Sequence, residues 1–164
     1  MRLLFSKSVS LAFAAAGLAA TLGATGALGA GPFADFGGTW KGAGRVSDVH
    51  GKSEALTCKS NNSPQPDGIA MTLTLVCASD SYRVDFRAEL YTDGQALRGT
   101  WTETTRDATG NIDGTIRPDL INAITTAPGF TANIAIRVTG GKRFDVTLNA
   151  KGTNVNHVEV AMKR

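Results

Sequence analysis

Residues 82–90 alternate without a break: Tyr82, Val84, Phe86, Ala88 and Leu90 on one side, Arg83, Asp85, Arg87 and Glu89 on the other. Successive side chains of a β-strand point to opposite faces, so a two-residue period describes a strand with one buried and one wetted face. The period recurs down the chain. Ile69, Met71, Leu73, Leu75 and Cys77 alternate with Ala70, Thr72, Thr74 and Val76. Phe130, Ala132, Ile134, Ile136 and Val138 oppose Thr131, Asn133, Ala135, Arg137 and Thr139, and shorter runs follow at Phe144, Val146 and Leu148 and at Val158, Val160 and Met162. Beyond the first thirty residues or so no helical stripe is sustained.

Clusters of Gly, Pro, Asn, Asp and Ser punctuate these runs near residues 48–51, 60–68, 78–80, 93–94, 107–111, 118–119, 128–129, 140–141 and 151–153. Such residues supply the backbone angles of tight turns. Short turns between successive strands predict an all-β chain, a single antiparallel up-and-down meander. A meander this long removes its exposed edges by closing, which predicts a small barrel of about 8–10 strands.

The first strand reads Phe36-Gly37-Gly38-Thr39-Trp40-Lys41-Gly42-Ala43-Gly44-Arg45-Val46. Trp40, Gly42, Gly44 and Val46 share one face, and glycines there suit a sharply curved strand. Phe33 and Phe36, three apart, suit one helical turn plugging an end of the sheet. The triplet Gly38-Thr39-Trp40 returns as Gly99-Thr100-Trp101, but on the first and fifth strands, which argues against a duplicated half. Residues 59–68 are the longest polar stretch and are expected to form an exposed, mobile loop.

Arg2 and Lys7 precede an uncharged, alanine-rich run over residues 9–28, with small residues at Ala27-Leu28-Gly29 and Ala24-Thr25-Gly26 for a cleavage site. This pattern is a secretory signal; the alternative is an uncleaved membrane anchor, which the many Gly, Ala and Thr residues disfavour. The expected organisation is a signal at 1–29, a connector at 30–37 and a barrel domain at 38–164, exported to the periplasm or secreted. The chain carries 17 basic and 14 acidic residues. Losing Arg2 and Lys7 from the seventeen leaves fifteen against fourteen, so neither nucleic acid nor an anionic membrane is indicated as a partner. In an oxidising compartment Cys58 and Cys77 most simply form a disulfide. A redox-active pair would prefer a closer Cys-x-x-Cys spacing.

His50 and His157, the only histidines, fall on polar or turn positions without a carboxylate or cysteine cluster, so neither a metal site nor a catalytic base is read. Asp85 and Glu89 interleave with Arg83 and Arg87 as a charged outer face rather than a catalytic carboxylate pair. No enzyme and no cofactor are expected. The inward face is apolar and includes Gly42, Gly44, Ala88, Gly99, Gly114, Ala132 and Ala150, small residues that either admit curvature or leave room. The sharper reading is a carrier for a small apolar molecule contacted by Trp40, Met71, Phe86, Trp101 and Phe130; the plainer one makes the same residues the core. A protein-interaction module, such as an inhibitor using Phe33 and residues 59–68 against a periplasmic protein, is the alternative. A barrel in the outer membrane, apolar face outward, is the third.

The turn before Gly38-Thr39-Trp40 on the first strand of an exported antiparallel barrel resembles the opening of the calycins, the lipocalins and avidins. In lipocalins a basic residue late in the last strand packs over that tryptophan; Lys163 and Arg164 are the positions the resemblance assigns here. The layout, with Cys77-Ala78-Ser79-Asp80-Ser81-Tyr82-Arg83, is also similar to a group of small uncharacterised exported proteins of alphaproteobacteria, which implies a periplasmic setting and no activity. The periplasmic metalloprotease inhibitors, small disulfide-stapled barrels, are similar in shape.

Overall fold

The structure is a computed structural model that describes residues 31–164; the expected signal at 1–29 lies outside the described residues. A 3-10 turn, η1 (Ala34–Phe36), precedes ten strands: β1 (Gly38–Asp48), β2 (Ser53–Pro64), β3 (Ala70–Ala78), β4 (Arg83–Asp93), β5 (Ala96–Glu103), β6 (Ala108–Arg117), β7 (Leu120–Ala127), β8 (Phe130–Thr139), β9 (Arg143–Lys151) and β10 (Val155–Lys163). Each pairs antiparallel with its neighbours in sequence, and β1 pairs with β10, so the meander closes into a ten-stranded barrel.

Closure runs along Lys41↔Lys163, Gly42↔Met162, Gly44↔Val160 and Val46↔Val158. A Cβ on Gly42 would lie 2.0 Å from the Ala161 carbonyl oxygen, and one on Gly44 would lie 2.1 Å from that of Glu159. Only glycine permits this approach. The small inward residues of β1 therefore serve curvature and close approach, not room.

The alternation sorts as expected. Trp40, Met71, Leu73, Leu90, Leu97, Ile116, Ile121, Val138, Phe144 and Met162 are buried inside. Lys41, Ala43 and Arg45 are exposed outside, and the salt bridges Arg87–Glu89, Arg137–Asp119 and Arg143–Asp145 lace the outer wall. That polarity is the reverse of a bilayer-spanning barrel, which corrects the outer-membrane reading. Two local expectations are also corrected. Ile69 precedes β3 and is exposed, because its parity outlasts the strand. Residues 59–68 are mostly strand, since β2 runs to Pro64. Ser60 and Asn62 point inward and are 1% and 2% exposed.

Those two polar residues are buried because they have partners. The single Ser60 Oγ–H is shared between two acceptors, the Thr74 carbonyl (2.8 Å) and Asn62 Oδ1 (2.7 Å). Asn62 Nδ2 donates to the Phe36 carbonyl (3.0 Å). A buried polar group costs little once its hydrogen bonds are made. A hydropathy reading sees only the polarity and places them outside.

Cys58 and Cys77 oppose each other across β2 and β3 and form a disulfide. Both are buried. They lie 19 positions apart, and constraining a loop of that length in the unfolded chain stabilises by about 3 kcal/mol. The C58A/C77A double variant should keep the barrel but lose about that much stability, read as a lower urea midpoint with an unchanged far-ultraviolet spectrum.

Candidate functional site

The two ends of the barrel are built differently. At the end where β1 starts, η1 folds across the opening. Phe33, Phe36 and Trp40 are each 0% exposed, with Met71 at 1% and Phe144 at 1% beside them. Phe144 packs against Trp40 at 5.1 Å between ring centroids and edge-on against Phe36 at 6.5 Å. Trp40 Nε1 donates to the Phe36 carbonyl (3.2 Å), and Phe33 N–H donates to the Gly68 carbonyl (3.1 Å). The Arg164 guanidinium sits 4.4 Å over the Trp40 ring and donates to the Gly37 carbonyl and the Asp35 carbonyl. A cation over indole, held by backbone acceptors, clamps the plug to the first strand. Of the two basic candidates, Arg164 is the one that packs on Trp40. This end is closed.

At the opposite end inward-facing side chains keep contact with solvent. Val84, Phe86, Ala108, Ala127, Phe130 and Val158 are only partly buried, as are Leu75, Ile134 and Leu148 nearer mid-height. These groups keep some solvent contact, while Trp101, Ala132 and Ala150 of the same half are buried. Phe86 stacks on Trp101 (5.7 Å, 21° between planes), and Phe130 meets Trp101 edge-on at 5.7 Å. These are favourable offset and T-shaped geometries.

The five sequence candidates therefore divide. Phe86, Trp101 and Phe130 come together at the open end. Trp40 and Met71 belong to the plugged end. The identical triplets at Gly38 and Gly99 thus put their tryptophans at opposite ends, because β1 and β5 run with their Trp positions near opposite rims. Gly99 offers no room: a Cβ there would lie 2.3 Å from the Glu89 carbonyl oxygen. Ala132 and Ala150 face each other across β8 and β9 in the open half. Phe33 and inward Ser60 and Asn62 are packed inside, which corrects their reading as contact pieces for a partner protein.

Three polar residues of this half were not singled out by the sequence. Leu97, Gly99 and Trp101 set a parity that carries Glu103 inward, and Ile121 and Ala123 do the same for Thr125; polarity hides both. Glu103 is 7% exposed. It accepts hydrogen bonds from Asp85 N–H (3.0 Å), Thr105 N–H (3.0 Å), Thr105 Oγ1 (2.7 Å) and Arg106 Nη1 (3.1 Å). Burial pushes its pKa up, but these donors together outweigh burial and leave it lowered. On the same rim Glu54 pairs with Lys52 (2.9 Å) and accepts from Ser79 Oγ (2.9 Å) and Ser81 N–H (3.2 Å). The Lys52 contact first, then the serine donors, hold its carboxyl down at about 2. Two carboxylates thus clasp the β3–β4 and β5–β6 connections around the mouth. Of the two histidines, His50 is exposed in a turn and His157 Nδ1 lies 2.8 Å from Asn149 Oδ1 on the outer wall. Among the described residues no group of His, Cys, Asp and Glu is placed to hold a metal ion.

No family description and no curated protein matches the sequence. Solved structures match in shape. The S-type phycobiliprotein lyase CPES from Guillardia theta aligns with a TM-score of 0.60 at 10% identity, over 80% of this chain and 89% of that one. Rv2717c from M. tuberculosis aligns with a TM-score of 0.61 at 13% identity, over 80% and 94%. A DUF3598-family protein of unknown function from Nostoc punctiforme aligns at 0.52 and 9% identity, over 79% of this chain and 48% of that one. At these identities the likeness is one of fold: a small antiparallel barrel of calycin-like shape.

Two expectations follow. Arg164→Ala should lower stability by about 1–2 kcal/mol through loss of the cation–π contact and its hydrogen bonds, with R164K intermediate in thermal melts. Glu54 and Glu103 have folded pKa values below their unfolded ones, so their stabilisation is present above about 4.5 and lost as pH falls, for Glu54 toward about 2. Urea midpoints measured from pH 6 down to about 2 should fall less steeply for E54Q/E103Q than for the parent.

Proposed function

We propose that the protein is a non-enzymatic, exported carrier that holds one small, largely apolar molecule in the open half of the barrel. The supporting observation is the set of inward apolar side chains left partly wet at one end only, around Phe86, Trp101 and Phe130. Concave, mostly apolar sites with a few placed polar groups are the usual form of a small-molecule site. Ten strands enclose more width than the eight whose interior side chains can just fill. Trp40 and Met71 form the floor in this reading, beneath the bound molecule. The disulfide suits an oxidising compartment. That a phycobiliprotein lyase has this fold adds the precedent of function on a similar scaffold, and fold alone does not transfer an activity.

The test is titration with N-phenyl-1-naphthylamine, an uncharged dye that brightens in apolar sites, alongside native mass spectrometry of protein isolated from a periplasm. The parent should bind the dye with a blue-shifted emission. F86A and F130A should each weaken it about tenfold, the equivalent of about 1.4 kcal/mol, while remaining folded. Ala150→Phe should also weaken it by occupying the lumen. Failure of the parent to bind the dye, with no mass lost on denaturation, would leave these residues as ordinary core and end the carrier reading.

A further inference from the structure

Two polar atoms of the open half stand out because nothing among the described residues satisfies them. Trp101 Nε1 and Thr125 Oγ1 are both buried without a hydrogen-bond partner among the described residues. Their side chains belong to residues only 6% and 2% exposed. The other buried polar residues of the interior, Ser60, Asn62 and Glu103, are all hydrogen-bonded. Burying an unsatisfied donor or hydroxyl is costly, and folded proteins do it sparingly.

Both atoms belong to the wall of the candidate site. Trp101 lies between Phe86 and Phe130, and on its own strand pair it faces Gly110. A Cβ on Gly110 would come within 2.6 Å of Trp101 Nε1. Glycine at that position lets the N–H edge of the indole lie across the inner surface of β6. Thr125 shares β6 as a neighbour through Ile112 and faces Ala132 on its other side. The small Ala132 and Ala150 continue the wall from Thr125 across β8 and β9. An indole N–H can only donate, and a threonine hydroxyl can donate as well as accept.

Resting on the carrier reading, we propose that the bound molecule is an aromatic or otherwise flat apolar compound bearing a hydrogen-bond acceptor, a carbonyl or ether oxygen, that is received by Trp101 Nε1 and Thr125 Oγ1. Phe86 and Phe130 supply apolar surface around the Trp101 ring, and the two donors fix the orientation of the acceptor. A site built to donate binds analogues that lack the acceptor more weakly than those that carry it, since its polar groups then stay unpaired.

The experiment compares two dyes of similar size. The first is 6-propionyl-2-(dimethylamino)naphthalene, whose ketone accepts hydrogen bonds and whose emission reports them. The second is N-phenyl-1-naphthylamine, which lacks a carbonyl. Both are titrated against the parent, Trp101→Phe and Thr125→Val, with thermal melts to establish folding. W101F keeps an aromatic ring and T125V keeps the shape, and each deletes one polar atom. The expected result in each variant is a ketone-to-amine affinity ratio lowered about five- to tenfold, whatever apolar contact both dyes lose, and a shift in the bound ketone's emission. Binding of both dyes by the parent with no change in their affinity ratio in either variant overturns this inference and leaves the carrier reading standing. Binding of neither dye by the folded parent overturns both. Should W101F not fold, T125V alone decides between the first two outcomes.

Discussion

The pairing of β1 with β10 is the contact on which the rest depends. Without it the meander has two free edges, each a row of unpaired N–H and C=O groups. With it every strand is flanked on both sides, and an inside is defined. The approach is possible because Gly42 and Gly44 carry no side chain where the carbonyls of Ala161 and Glu159 come in. Closure then gives the alternation its meaning. An apolar parity on ten strands becomes one lumen, and the polar parity becomes one outer wall.

A closed wall still has two ends, and the chain treats them differently. One end is covered by its own N-terminal turn. Phe33 and Phe36 fill the opening, and the Phe36 carbonyl accepts from both Trp40 Nε1 and Asn62 Nδ2. Arg164, at the far end of the sequence, reaches the same turn. The plug is therefore held by contacts from β1, β2 and the residue after β10. Among the described residues no such segment crosses the other end. Its connections are instead tied to the rim by Glu54 and Glu103, and Phe86 and Phe130 behind them stay partly exposed.

Much of this was legible in the residues. A strand count of about 8–10, strand direction, closure, the inward parity of β3, β4, β8, β9 and β10, the disulfide and the single helical turn all follow from period two, turn chemistry and cysteine parity; that the number is ten does not. The inward polar residues escaped the sequence reading for one reason. Ser60, Asn62, Glu103 and Thr125 are polar residues on the buried parity, and composition places such residues outside. For Ser60, Asn62 and Glu103 the partners that make burial tolerable come from other strands, connections or η1. Thr125 differs, since it is buried without one, and only its parity with Ile121 and Ala123 could have pointed to it.

By itself, then, the sequence determined the local matters: which residues can extend, which turn, which face each side chain takes. These depend on backbone geometry and on neighbours one or two positions away. Which end of the barrel is sealed was decided only by tertiary structure, because η1, Asn62 and Arg164 are brought together by closure. The same holds for the candidate residues. Trp40 and Trp101 sit in identical triplets, and nothing local distinguishes them. One is capped by an arginine and donates to a carbonyl, while the other lies between two phenylalanines with its N–H unpaired. Their difference is the environment that long-range strand pairing supplies.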